Sequence, residues 1–238
     1  MYPRTWVILA ASVSTLLLLG VAHASVVSRF DSNADGWDVV VLVAEPESNP
    51  NYGAFPTPLS VNYSSLNGNP DGHIWKYDPG PHAFYFDAPS KFLGNQLATY
   101  GGSLSFDLRD VPDDPNKAYT TAPDVVLVGA GLTIVLDDVI QPGTSWSSYA
   151  VSFVAGSSWH KGTLSGASPT ASEFQSVLAD LDALRILGDQ RSDYDTGYLD
   201  NVVLSNASEV PEPSTLLLWS GLGAIGLIVA SRRKRRAA

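Results

Sequence analysis

The sequence predicts an all-β protein: an antiparallel, jelly-roll-like β-sandwich with one short helix, flanked by two segments outside the fold. Three observations predict it. Short aromatic and β-branched runs recur between clusters of Gly, Pro, Asn, Asp and Ser, the punctuation of strands and turns. Residues 103–109 alternate strictly: Leu104, Phe106 and Leu108 against Ser103, Ser105, Asp107 and Arg109, so one face is buried and the other is not. Only one stretch carries helical periodicity. Roughly ten short strands with a single helix fit two packed sheets whose inner faces share the apolar burden.

Taken in order, residues 1–24 read as a secretory signal peptide. Arg4 lies in a short n-region, an apolar stretch covers 6–21, and Ala22, His23 and Ala24 give a small-x-small cleavage pattern. The folded body is then 25–209, one domain's worth of chain. Strands are expected at 26–30, 37–43, 73–77 and 82–89. Residues 31–36 form a turn, and 44–71, with five prolines and many Asn and Ser, form a loop or irregular crossing. Residues 91–95 and 97–100 make one weak helical turn, and Gly101 and Gly102 then turn the chain into the alternating strand. Residues 124–129 and 132–136 flank Gly129, Ala130 and Gly131 as a hairpin or neighbouring strand pair. A strand at 146–153 precedes Trp159 and His160. The helix is expected at 170–182, capped by Thr170 or Ser172, with Glu173 in its first turn and Phe174, Val177, Leu178 and Leu181 on one face. Strands at 184–187 and 198–204 close the body around the turn 188–197.

Composition narrows the function. The sequence has no cysteine, which excludes a disulfide framework, a thiolate metal site and a Cys nucleophile. Residues 25–209 hold eight basic and twenty-three acidic side chains, a net charge of about −15. Such a surface repels phosphate backbones, so nucleic acid is not an expected partner, whereas cations are. No Gly-x-Ser-x-Gly elbow and no His-Glu-x-x-His helix occurs, and His73, His82 and His160 lack ligand spacing.

The carboxyl end is tripartite. Pro211, Glu212 and Pro213 are followed by an uncharged run, expected as a transmembrane helix over 215–231, and by the basic stop Arg232, Arg233, Lys234, Arg235 and Arg236. The 210–238 segment closely resembles the PEP-CTERM sorting signal of bacterial exported proteins in motif, helix and Arg-rich tail (residues 232–236). That resemblance implies an exosortase-type processing enzyme as partner. It also implies an inner-membrane-anchored precursor, and delivery of the body to the cell surface or extracellular matrix.

The body has its own resemblance. Phe30 with Asp35, Gly36 and Trp37; Tyr85 to Pro89 with Phe92, Leu93 and Gly94; Tyr100 to Phe106; and Leu184, Arg185 and Ile186 with Gly197 to Val202 occur in the order of the laminin B, or laminin domain IV, module. The resemblance implies a jelly-roll sandwich over most of 30–204, akin to carbohydrate-binding domains, and a non-catalytic extracellular module. It also implies a structural calcium joining the start of the domain to its last strand, for which Asp200 with Asp31 or Asp35 are the candidate ligands, hard oxygen donors being suited to that ion. For binding an extracellular polysaccharide or matrix protein, the candidate platforms are Trp75, Tyr77, Trp146 and Trp159, whose flat faces suit sugar rings. Two alternatives accompany this reading. One is a secreted glycan-active hydrolase using two of Asp107, Asp137 or Asp138, Asp189 and Asp200, since glycoside hydrolysis needs paired carboxylates. The other is a purely structural biofilm or matrix component.

Overall fold

Alternation builds strands wherever the sequence supplies it. The computed structural model describes residues 25–42, 58–80, 82–136, 140–156 and 158–207. Along these the chain forms β1 (Val26–Ser28), β2 (Asp38–Val41), β3 (Leu59–Ser60), β4 (Asn62–Gly68), β5 (Asp71–Tyr77), β6 (Phe84–Asp87), β7 (Ser103–Pro112), β8 (Val125–Gly129), β9 (Leu132–Leu136), β10 (Ser147–Ser152), β11 (Trp159–Lys161), α1 (Ala171–Ala179), β12 (Leu181–Leu187) and β13 (Asp195–Ser205). The signal peptide 1–24, the sorting segment 210–238, Asp137 and Asp138 lie outside the described residues.

Two antiparallel sheets result. One runs β10-β7-β13-β5-β4, with β1 also paired to β13; the other runs β11-β9-β8-β12-β6-β2-β3. β7 and β13 form the longest ladder, from Asp195 opposite Pro112 to Ser205 opposite Ser103. The core lies between the sheets. Leu104, Phe106 and Leu108 of β7, Ile74 of β5 and Leu199 and Leu204 of β13 meet Val39, Phe84, Phe86, Val125, Leu127, Leu184 and Ile186 from the second sheet, all buried. The second sheet is apolar on its other face too, where Val40, Tyr85, Val126, Val135 and Leu187 cluster. The outward face of the first sheet is aromatic and polar instead, and it is there that function is to be sought.

The structure corrects the reading of 44–71. Residues 59–68, expected as loop or irregular crossing, supply β3 and β4. Asn62, Tyr63, Ser64, Ser65, Leu66 and Asn67 carry no apolar alternation because β4 is an edge strand with mostly exposed positions. Its tip, which contains a cis Asn69–Pro70 bond, folds over the first sheet. Among the other described residues the elements fall near their expected places, but β7 runs on to Pro112, β12 starts at Leu181 and β13 starts at Asp195, inside the expected turn. Trp37 is core, edge-on to Phe30 and Phe92, with its Nε1 donating to Ser28 Oγ at 2.9 Å. The helix starts on a capping box: Glu173 N donates to Thr170 Oγ1, and Thr170 N donates to Glu173 Oε2. It is shorter than expected, and Leu181 opens β12 rather than extending the helical face.

Candidate functional site

Side chains alternate along β5, so His73, Trp75 and Tyr77 leave the sheet on the side opposite the core residue Ile74. Register then places Trp75 beside Tyr198, and Tyr198 beside Arg109 of β7. Tyr198 is the hub of this face. Its ring stacks with Trp75 at 6.3 Å and 28°, meets His73 at 5.5 Å and Trp146 at 6.3 Å, and lies under the Arg109 guanidinium at 4.5 Å. Trp146 also touches His73 edge-on at 5.6 Å, and its Nε1 donates to the Asn67 carbonyl at the tip of the β4–β5 hairpin. Two residues along β5, Tyr77 stacks flat on Tyr194 at 5.9 Å and 8°, and its hydroxyl donates to Asp113. That hydrogen bond pushes the Tyr77 hydroxyl pKa up to about 12. An aromatic strip therefore runs along the outer face from Trp146 to Tyr194.

Three of the four platforms expected from the sequence thus gather on one surface. Trp159 does not. It is 2% exposed in β11, packed edge-on against Phe153 and Phe174, and its Nε1 is spent on the Ser152 carbonyl. It faces α1 and fills the core there, the usual fate of a large aromatic in a sandwich. Sequence reasoning missed His73, Arg109, Tyr194 and Tyr198. The first was open to reading: His73, Trp75 and Tyr77 keep period two on one strand. Burial, then Arg109, lowers the His73 pKa, so the ring stays neutral beside the guanidinium.

One end of this face carries acid. Asp107 and Asp200 stand directly opposite each other on β7 and β13, where like charges repel. The hairpin tip sits over them. Asn69 N donates to Asp200 Oδ2 at 2.6 Å and Asn69 Nδ2 to Asp107 Oδ2 at 3.1 Å, while Asn201 donates its Nδ2 to Asp107 Oδ2 at 2.8 Å and to the Asn69 carbonyl. Asn201 holds φ at 49° where the ladder skips register, a bulge beside which its amide reaches Asp107 on the outer face. Burial, with added repulsion from Asp107 and Asp31, pushes Asp200 up to about 6.

The candidate calcium ligands divide. Asp31 is exposed beside an open pocket lined by Arg29, Asn33 and Asp35, and its charge reaches Asp200. Asp35 is engaged by Lys91 and accepts from Ser28 Oγ. Among the described residues, no group of three or more acidic or histidine side chains forms a metal cage, so backbone oxygens would have to contribute. The hydrolase candidates divide as well. Asp107 and Asp200 are side by side in register rather than facing across a cleft, and Asp189 is buried elsewhere.

Known proteins can now be set beside this geometry. The family model of laminin B (domain IV) matches residues 85–218, and that of the PEP-CTERM protein-sorting motif matches residues 209–236. Laminin subunit gamma-2 of Equus caballus is 33% identical over 193 residues, which are 78% of this chain and 14% of that protein. Laminin subunit gamma-1 of Homo sapiens is 36% identical over 137 residues, 57% of this chain and 8% of that protein. The chain thus spans a small part of the relatives it matches. Among solved structures, the L4b domain of human laminin alpha-2 superposes with a TM-score of 0.59 at 14% identity, over 79% of this chain and 98% of that domain, a likeness of fold.

Proposed function

Because the chain belongs to the laminin B (domain IV) family and carries a PEP-CTERM sorting motif, we propose that it is an exported, non-catalytic surface module that binds extracellular polysaccharide through the outer face of its six-stranded sheet. The observation that carries this reading is the strip of Trp146, His73, Tyr198, Trp75, Tyr77 and Tyr194. Only Tyr77 and Tyr194 of these are largely exposed, but Trp75, Trp146 and Tyr198 keep part of their surface in solvent on a face that no other layer of the described residues covers. Flat aromatic surface flanked by hydrogen-bonding groups is what a sugar ring, apolar on its faces and polar at its rim, needs. The sorting motif implies an exosortase as processing partner. In this reading 1–24 is removed, 215–231 holds the precursor in the inner membrane, and the body closes as a jelly roll.

The test is a screen of the full chain against glycans and exopolysaccharides, read by tryptophan fluorescence, followed by an assay for released sugars. Binding that Trp75→Ala weakens at least tenfold, without turnover, is expected. Absence of binding moves weight to the purely structural role, and sugar release to the hydrolase.

Calcium remains part of the proposal. Asp200 and Asp31, with backbone carbonyls around Phe30, are the residues that would hold it, tying the start of the domain to β13. Support comes from the strain collected at that corner. Phe30, Asn67, Asp71 and Asn201 all hold positive φ, which for a residue as bulky as Phe30 requires compensation. A Cβ on Gly72 would collide with the Phe30 carbonyl oxygen, and one on Gly68 would crowd Asp200, so both glycines are needed for this close approach.

A further inference from the structure

The same two strands carry a second acid pair on the opposite face. Leu104, Phe106 and Leu108 point into the core, and the next residue in that row is Asp110, opposite Gly197 and diagonal to Asp195. Both carboxyls are 0% exposed. Asp195 Oδ2 accepts from Gln190 N at 2.8 Å and Arg191 N at 2.9 Å, and Asp110 Oδ2 accepts from Arg191 Nε at 2.7 Å. Oδ1 of each has no hydrogen-bond donor among the described residues, and the two carboxyl groups stand within hydrogen-bond reach of each other. Two carboxylates that close cannot both ionise in a dry site.

The surroundings add negative charge rather than removing it. Asp189, in the loop before β13, is 7% exposed with its Oδ1 also unpartnered, and Asp78 at the end of β5 is 7% exposed. Asp193 bears on Asp78 from the same loop. Arg191 is the cation facing the pair, its guanidinium 3.7 Å over the Tyr119 ring and bonded to the Lys117 carbonyl, while the Lys117 ammonium pairs with Asp193. One guanidinium cannot neutralise this cluster.

We propose that Asp110 and Asp195 share one proton, and that this proton latches the 188–194 loop onto the end of the sandwich. Asp195 donates it to Asp110, while its other oxygen holds the backbone N–H groups of Gln190 and Arg191. Loss of the proton puts two like charges in contact beneath the loop. Burial, and then the neighbouring carboxylates, push Asp195 up to about 8 and Asp189 up to about 7, so the latch holds at neutral pH and releases in alkaline medium. Tyr194 adjoins Asp195 and stacks on Tyr77, so release also disturbs one end of the aromatic strip. That last consequence, a pH-dependent affinity, rests on the polysaccharide reading of the face; the latch itself does not.

The experiment is thermal melting of the purified full chain from pH 7 to pH 9, with and without chelator, beside Asp195→Asn. Asn keeps the acceptor for the two backbone N–H groups and presents a permanent N–H to Asp110. The wild type is expected to lose about 5 °C of Tm over this range, with the near-ultraviolet circular dichroism of the stacked tyrosines changing in step, while Asp195→Asn keeps only the shallow slope left by Asp189. If that variant does not fold, Asp110→Asn provides the same N–H from the other side and is read in the same way. A flat wild-type profile, or the same slope in the variant, overturns the latch. So does a chelator-sensitive Tm at pH 7 that Asp195→Asn abolishes, since a cation would then be the neutralising species. Binding of exopolysaccharide purified from the host should weaken from pH 7 to pH 9 in the wild type only. Unchanged binding alongside a shifted Tm removes the coupling, whereas no binding at any pH counts against the polysaccharide reading and leaves the melting result to judge the latch.

Discussion

Asp107–Asp200 and Asp110–Asp195 are both carboxylate pairs on β7 and β13, yet the two pairs are solved differently. The first faces outward, where a hairpin tip reaches over it and neutral amides from Asn69 and Asn201 supply the donors. The second faces the core, where Arg191 and two backbone N–H groups serve the Oδ2 atoms and, among the described residues, no N–H group serves the Oδ1 atoms. Asp200 and Asp107 are themselves buried beneath that tip, at 0% and 6% exposure, but the amide donors there can hold a charged carboxylate. Inward carboxylates must be paired or protonated, because an isolated buried charge is prohibitive. The face of the strand decides the chemistry, and a shift of three residues along β7 exchanges one solution for the other.

Removing the guanidinium should break the inner pair most severely. Arg191→Ala takes from Asp110 the guanidinium's charge and its hydrogen bond, a loss expected at about 3–5 kcal/mol in denaturant melts at pH 8. At pH 5 Asp110 can take up a proton instead, so the loss should shrink. An equal loss at both pH values would show that Arg191 acts through packing on Tyr119 and not through charge.

The outer pair is expected to answer to calcium. Asp200 has a raised pKa, so without the ion its contribution is fully present below the ordinary Asp range and is lost as pH rises through about 6. Calcium, if held there, would bind the ionised carboxylate and reverse that loss, adding about 2.7 kcal/mol at a hundredfold excess over its dissociation constant. Melting at pH 7.5 with calcium and with chelator measures the difference, and Asp200→Asn should remove it. An unchanged Tm, with no calcium in the purified protein, ends the proposal. A smaller effect is expected at Asn201→Gly, which keeps the positive φ but loses the amide donors to Asp107 and Asn69. About 2 kcal/mol is expected, as for a hydrogen bond to a charged group.

What could be read beforehand follows the same division. The alternation in residues 103–109 announced β7 and its buried face, and the capping residues around Thr170 and Glu173 announced α1. The row Leu104, Phe106, Leu108 in fact continues to Asp110, but an acid in a core position contradicts the pattern that identifies strands, so the strand seemed to end at Arg109. Asp195 was hidden likewise, since Asp189, Asp193 and Asp195 among Gly and Ser have the composition of a turn. β4 was illegible because an exposed edge strand needs no apolar alternation. Of the binding strip, Trp75, Tyr77 and Trp146 were visible as aromatics. Tyr198 and Arg109 acquire meaning only through register, which pairs residues far apart in sequence.

The smallest expected effect is also the sharpest test of the comparison. Asp107→Asn removes one of two opposed charges on the outer face while keeping an oxygen for the amides of Asn69 and Asn201. Its stability without calcium should stay within about 1 kcal/mol of the wild type, the scale of a cross-strand pair. The pH dependence should change as well: burial still raises Asp200, but with the lesser Asp107 repulsion gone it titrates somewhat lower and the fall through pH 6 becomes shallower. The fall between pH 7 and pH 9 should remain, because Asp110 lies three residues, about 10 Å, from Asp107 and Asp195 lies five residues, about 16 Å, from Asp200, both on the other face. Perturbations at that separation normally add. If Asp107→Asn flattens both windows, the two acid pairs titrate as one network through β7 and β13. The distinction between an outward pair relieved by amide donors and an inward pair relieved by a proton then has to be given up.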